Sequence, residues 1–143
     1  GMRWPNRHPH QLTQGMRVAQ AALARFVPLI DWQRYRRHNL NDELRSTQGD
    51  LALFGSGDEE QATVWLLRKD TLGPDGRLRQ DATPLCTTLS LPGLRAGEYR
   101  ITAWDTRLGA ATSVFTQRHQ GQANLCIPLP PFVTDLALAV RRC

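Results

Sequence analysis

Lysine occurs once in these 143 residues, at Lys69, although arginine carries the formal net charge to +5. The arginines are scattered rather than gathered into a run. A basic balance that would suit an anionic partner is therefore read as a solvated surface and not as a nucleic-acid groove. Cysteine is scarce too: Cys86, Cys126 and Cys143 are odd in number, have no CxxC spacing and no histidine at zinc-ligand distance in sequence. Free thiols in a reducing compartment are the expectation, with a Cys86–Cys126 bridge left open as the alternative. No run approaches the roughly 18 apolar residues of a membrane-spanning helix, and the first 20 residues lack the apolar centre of a signal peptide. The reading is a soluble, cytoplasmic chain without membrane contact, metal or cofactor. Gly1 before Met2 reads as a tag-cleavage scar, with Met2 as the native start.

What is present is one helical pattern followed by a long alternating one. Residues 1–11, with "MRWPNRHPH", have two prolines and no periodicity and read as a flexible lead-in. Leu12, Met16, Ala19, Leu23, Phe26 and Ile30 then recur at spacings of three and four, one face of a helix that Pro28 should end near Val27. "DWQRYRRHNLNDELR" is a polar connector in which Trp32 and Tyr35 fall on one side, so residues 12–48 form a helix and connector. From 49 to 143 the period is two. "TVWLL", "LCTTLSL", "EYRITAW", "ANLCIPL" and "TDLALAV" read as strands between Gly, Pro and Asp turns. The expected fold is all-β with an N-terminal helix: an antiparallel, immunoglobulin-like β-sandwich of about seven strands. A single domain of this length buries roughly 70% of its unfolded surface, enough for a core without staples.

Motifs for chemistry are thin. Asp42–Glu43 and Glu59–Glu60 are the adjacent acidic pairs, but neighbours point apart and read as loop polarity rather than an acid and base. His8 and His10 form an H-x-H without a third ligand, and His38 and His119 stand alone. "FGSGD" around Ser56 imitates a nucleophile elbow one residue short, and is read as a turn whose glycines allow positive φ. "RYRRH", residues 34–38, is read as a solvated connector whose arginines meet Asp42 and Glu43. Among the aromatics, Tyr99 shares the Ile101 and Ala103 face and is core. Trp65 sits between Val64 and Leu66, so either of its faces could be the buried one. Trp104 lies with Arg100 and Thr102 on the more polar face and is the best exposed candidate for sugar stacking, with Arg100 and Asp105 beside it. Asp105 also suits a turn cap that bonds its own backbone two residues on.

Taken in order, "ALARFVPLIDWQRYRRHNL", "GDEEQATVWLLR", "LPGLRAGEYRITAWDTRLG" and "PPFVTDLALAVRR" resemble the C-terminal part of bacterial glycoside hydrolases related to the cellulase and mannanase barrels. The matching strand pattern is Gly97, Tyr99, Ile101, Ala103, Asp105 and Gly109. The catalytic barrel, which needs about 250 residues, is missing, so its carboxylates map onto nothing here. The resemblance implies a non-catalytic accessory or structural sandwich, with a polysaccharide or a hydrolase barrel as partner. In such an enzyme the Leu12 to Ile30 stripe would face the barrel; without it, a homodimer through that helix is expected. The alternatives are a stand-alone carbohydrate-binding module using an exposed aromatic, and arginine-mediated nucleic-acid binding.

Overall fold

The computed structural model describes residues 13–143; the lead-in, Leu12 and the His8–His10 pair lie outside the described residues. Thr13 caps α1 (Gln14–Phe26) by accepting the Met16 N–H, and a 3₁₀ turn at Val27–Leu29 begins where Pro28 stops the helix. Nine strands follow, not about seven: β1 (His38–Asn39), β2 (Arg45–Ser46), β3 (Leu51–Gly57), β4 (Gln61–Arg68), β5 (Thr88–Leu91), β6 (Gly97–Asp105), β7 (Ala110–His119), β8 (Leu125–Pro128) and β9 (Asp135–Arg142). The two extra strands are two-residue pairings inside the connector, too short to leave an alternation in the sequence.

The strands form two antiparallel sheets, ordered β1-β3-β4-β9-β6-β7 and β2-β5-β8. Alternation decides which side chains meet between them. Val64 and Leu66 of β4, Ile101 and Ala103 of β6 and Leu138 and Val140 of β9 pack against Leu89 and Leu91 of β5 and Ile127 of β8 in one buried cluster. The molecule is thus a β-sandwich with its last strand near the centre of the larger sheet. Tyr99 is buried in this core, and its hydroxyl donates to the Arg95 carbonyl four residues upstream at 2.6 Å. That is the tyrosine corner of immunoglobulin-like sandwiches. Burial raises the phenol above its ordinary pKa and keeps it a donor.

Arg68 closes one end of the sandwich. Its side chain is buried, and it donates to the Thr83 and Val133 carbonyls at 2.7 and 2.9 Å and to both oxygens of Asp70. A buried guanidinium is tolerated only when its donors are used in this way. Three sequence expectations change here. Gly55 and Gly57 of "FGSGD" lie inside β3 and not in a turn, because Leu44 and Leu40 from the connector occupy the space a Cβ would need. Arg34 meets Asp31 at 3.8 Å rather than Asp42 or Glu43. The Cys86–Cys126 alternative falls, since β8 pairs Cys126 with Ser90 of β5 while Cys86 lies outside that strand. All three cysteines are free and exposed.

The first 13 residues of described chain carry little packing. Met16, Val18 and Leu23 are exposed, and within α1 only Ala22 is buried. The expected apolar stripe is therefore divided: its Phe26 and Ile30 end turns to the protein and its Met16 to Leu23 end faces outward. Phe26 meets Trp104 edge to face with ring centroids 5.6 Å apart, and Ala22 seats against Gly109, whose φ of 67° and absent Cβ leave room for the helix. Trp104→Ala is expected to lower the unfolding free energy by about 3 kcal/mol or more in a urea melt, since it empties this contact. A second expectation concerns acid. The Arg68 hydrogen bond holds Asp70 below its ordinary pKa, so its contribution is present above the unfolded value and lost as pH falls through the lower folded one. Asp70→Asn should remove part of the fall in melting temperature expected as pH drops below the ordinary carboxylate range, about 4.

Candidate functional site

On the outer face of the large sheet, cross-strand register aligns Phe54 of β3, Trp65 of β4, Ala137 of β9 and Trp104 of β6 in a single row. With strands about 4.8 Å apart, the two tryptophans stand roughly 10 Å from one another across Ala137. Their fates differ. Trp104 is only 7% exposed, so the expectation that it is the open indole is overturned: Phe26 covers it. Trp65 and Phe54 are 40% and 42% exposed and stack with centroids 5.4 Å apart and planes 26° from parallel.

The open indole is held in place. Trp65 Nε1 donates to Asp135 Oδ2 at 2.9 Å, and the same carboxylate accepts from Thr106 and Thr134 hydroxyls at 2.6 and 3.0 Å. Three donors thus converge on Asp135, which acts as a bracket for the ring. The result is an aromatic surface whose orientation is set before any ligand arrives.

The neighbouring row holds Ser56 and Thr63, paired across β3 and β4. Tyr35 reaches down from the connector, its hydroxyl 2.7 Å from Ser56 Oγ and 3.4 Å from Thr63 Oγ1. Trp32 leans on Tyr35 with centroids 5.6 Å apart and donates its indole N–H to the Val27 carbonyl at 2.7 Å. A cleft of about 440 Å³ opens there, lined by Trp32, Arg37, His38, Asn39, Ser56 and Thr63. Hydroxyls, a carboxamide, an imidazole and a guanidinium thus surround one exposed indole, two residues along the strand from the Phe54–Trp65 stack.

The connector owes its position to Gln61. That side chain is buried, accepts the Asp31 N–H at 2.8 Å and donates to the Asp31 carbonyl at 3.0 Å. Downstream, the Arg36 N–H bonds Asp58 Oδ2, and β1 pairs with the end of β3. On the other side of the same connector lies a larger cleft of about 840 Å³, lined by Arg34, Arg36, His38, Glu43, Asp58, Glu59 and Glu60 among others. It brings together one member of the first acidic pair and both of the second. Two of these carboxylates are occupied, Asp58 in receiving the Glu60 and Gln61 N–H groups and Glu60 in pairing with Arg95. Among the described residues, no group of three His, Cys, Asp or Glu side chains is placed to hold a metal.

Of the sequence candidates, Asp105 caps the β6–β7 turn, accepting the Arg107 and Leu108 N–H groups at 2.8 Å each. Arg100 is exposed on the outer face, opposite Arg141 and two rows from Trp104. The three residues do not form a site. Trp65, Phe54, Trp32 and Tyr35 do converge, and the signal for Trp65 was its parity with Thr63, the polar member of "ATVWLL". No helix of the described residues is long and apolar enough to cross a membrane. No family model, curated protein or solved structure matches the chain.

Gln61→Ala would leave the half-buried Asp31 N–H without its partner, while the Asp31 carbonyl keeps the Arg34 N–H at 3.2 Å, an expected loss of about 1 kcal/mol or more. Hydrogen exchange should show the Asp31 amide losing protection while the core strands keep theirs. If Asp31 stays protected in the variant, the bracket has been misassigned.

Proposed function

We propose that this chain is a non-catalytic β-sandwich that binds carbohydrate on the outer face of its large sheet. The exposed and fixed Phe54–Trp65 stack carries the reading. A sugar ring offers an axial C–H face that packs on an aromatic plane and a rim of hydroxyls that needs donors and acceptors. The stack supplies the first, and the Trp32 cleft with Asn39, Ser56 and Thr63 supplies the second. Preset rings lose little entropy on binding, which favours them as anchors. Such a role agrees with the sequence resemblance to accessory sandwiches of glycoside hydrolases, with the platform moved from Trp104 to Trp65.

A polyanion fits this region less well. Two of the connector arginines that would meet phosphates, Arg34 and Arg36, border the cleft that also holds Glu43, Asp58, Glu59 and Glu60, and like charge there would oppose a nucleic-acid backbone.

Affinity electrophoresis through gels containing soluble β-glucans, mannans or xylans tests the proposal. The wild type should be retarded by at least one of them. Trp65→Ala should weaken that binding tenfold or more, about 1.4 kcal/mol or greater, with melting temperature nearly unchanged. Absence of retardation on every glycan, or full retention by Trp65→Ala, would sink it.

A further inference from the structure

We infer that the free edge of β7 is a self-pairing surface, through which two copies of this chain join their large sheets across a two-fold axis. The sheet order ends at β7, a strand of ten residues that pairs only with β6 among the described residues. Its outer row of backbone N–H and C=O groups is a template for another strand.

The other described edges are closed or short. The β3 edge is covered by β1 and by the connector, with Leu40 N–H bonding the Gly55 carbonyl and Asn41 Oδ1 accepting the Gly55 N–H. In the small sheet, β2 has two residues, and β8 has four and ends at Pro128. Two of the usual edge defences are missing from β7 beyond the point where α1 meets it: Ala110 to Gln117 contains no charge and no proline. One register shift lies near its start, opposite Ala103 and Trp104, and from Ser113 onward the ladder is regular.

The sequence of the edge suits a second copy. Antiparallel self-pairing keeps opposed residues on one face, so it centres on a single residue, Val114 or Phe115. The first register sets Val114 against itself and Arg118 against Ala110. The second sets Val114 against Thr116 and Arg118 against Thr112. In both, the one charge of the strand never meets its own copy, and β-branched residues face each other on the outer side. Val114, 56% exposed and pointing outward, is the side chain such a seam would cover. The exposed Met16, Val18 and Leu23 of α1 are the rival surface for a dimer, and the test must separate the two.

Sedimentation velocity of the full chain at about 1 and 100 μM brackets a micromolar Kd. Wild type should shift from monomer toward dimer, while Val114→Lys stays monomeric with an unchanged circular dichroism spectrum. Thr116→Lys gives the same readout should Val114→Lys fail to fold. Met16→Lys with Leu23→Lys should leave the dimer intact. In wild type, amides 113–117 should exchange more slowly as concentration rises. Wild type that remains a monomer throughout, a dimer that survives both edge lysines, or one that disappears with the helix pair would overturn the inference.

Discussion

The carboxamide of Gln61 clamping the backbone of Asp31 is the contact on which the outer face depends. It is a two-way hydrogen bond between the buried first residue of β4 and the half-buried first residue of the connector. Upstream of that point the chain lies on Trp104; downstream it crosses Ser56 and Thr63 and turns over the β3 edge to send Leu40 and Leu44 into the core. The clamp therefore couples three things: the cover over one tryptophan, the cleft beside another, and part of the core itself. An amide suits the position because it can both donate and accept, and the main chain of Asp31 offers one of each.

The aromatic row shows how cover, rather than residue type, separates packing from surface. Trp65 and Trp104 face the same way from a single cross-strand row of one sheet, separated by Ala137. One is buried because α1 comes down at the β6–β7 turn, where Gly109 lets Ala22 approach closely. The other is left open between the helix end and the connector. Isolated helices of this length are marginal in water, so the docking of Phe26 and Ala22 does much to hold α1 in place. The same sheet leaves a long bare edge on its far side. Face and edge are both free surface, but they invite different partners: one offers side chains, the other unpaired backbone.

Much of the sandwich was legible. Period-two runs located the long strands, and the Tyr99, Ile101 and Ala103 face of "EYRITAW" was read with the correct side inward. Pro28 marked the helix end, and Asp105 capped its turn as its side-chain chemistry suggests. The misreadings share a cause. "FGSGD" has the composition of a turn, yet its glycines are there because Leu40 and Leu44, more than ten residues upstream, lie where side chains would be. Trp104 sits on a polar-looking face, but polarity along one strand says nothing about a helix laid across it.

By itself, then, the sequence determined what is local: which segments are helix or strand, which side of each strand is greasier, and where prolines and aspartates stop or turn the chain. These follow from backbone sterics and from side-chain period, both of which act within a few residues. Only the tertiary structure decided which tryptophan is open, which glycines are steric necessities and which strand is an edge. Those properties depend on what is laid against a residue from far along the chain, and a single strand's alternation cannot carry that information.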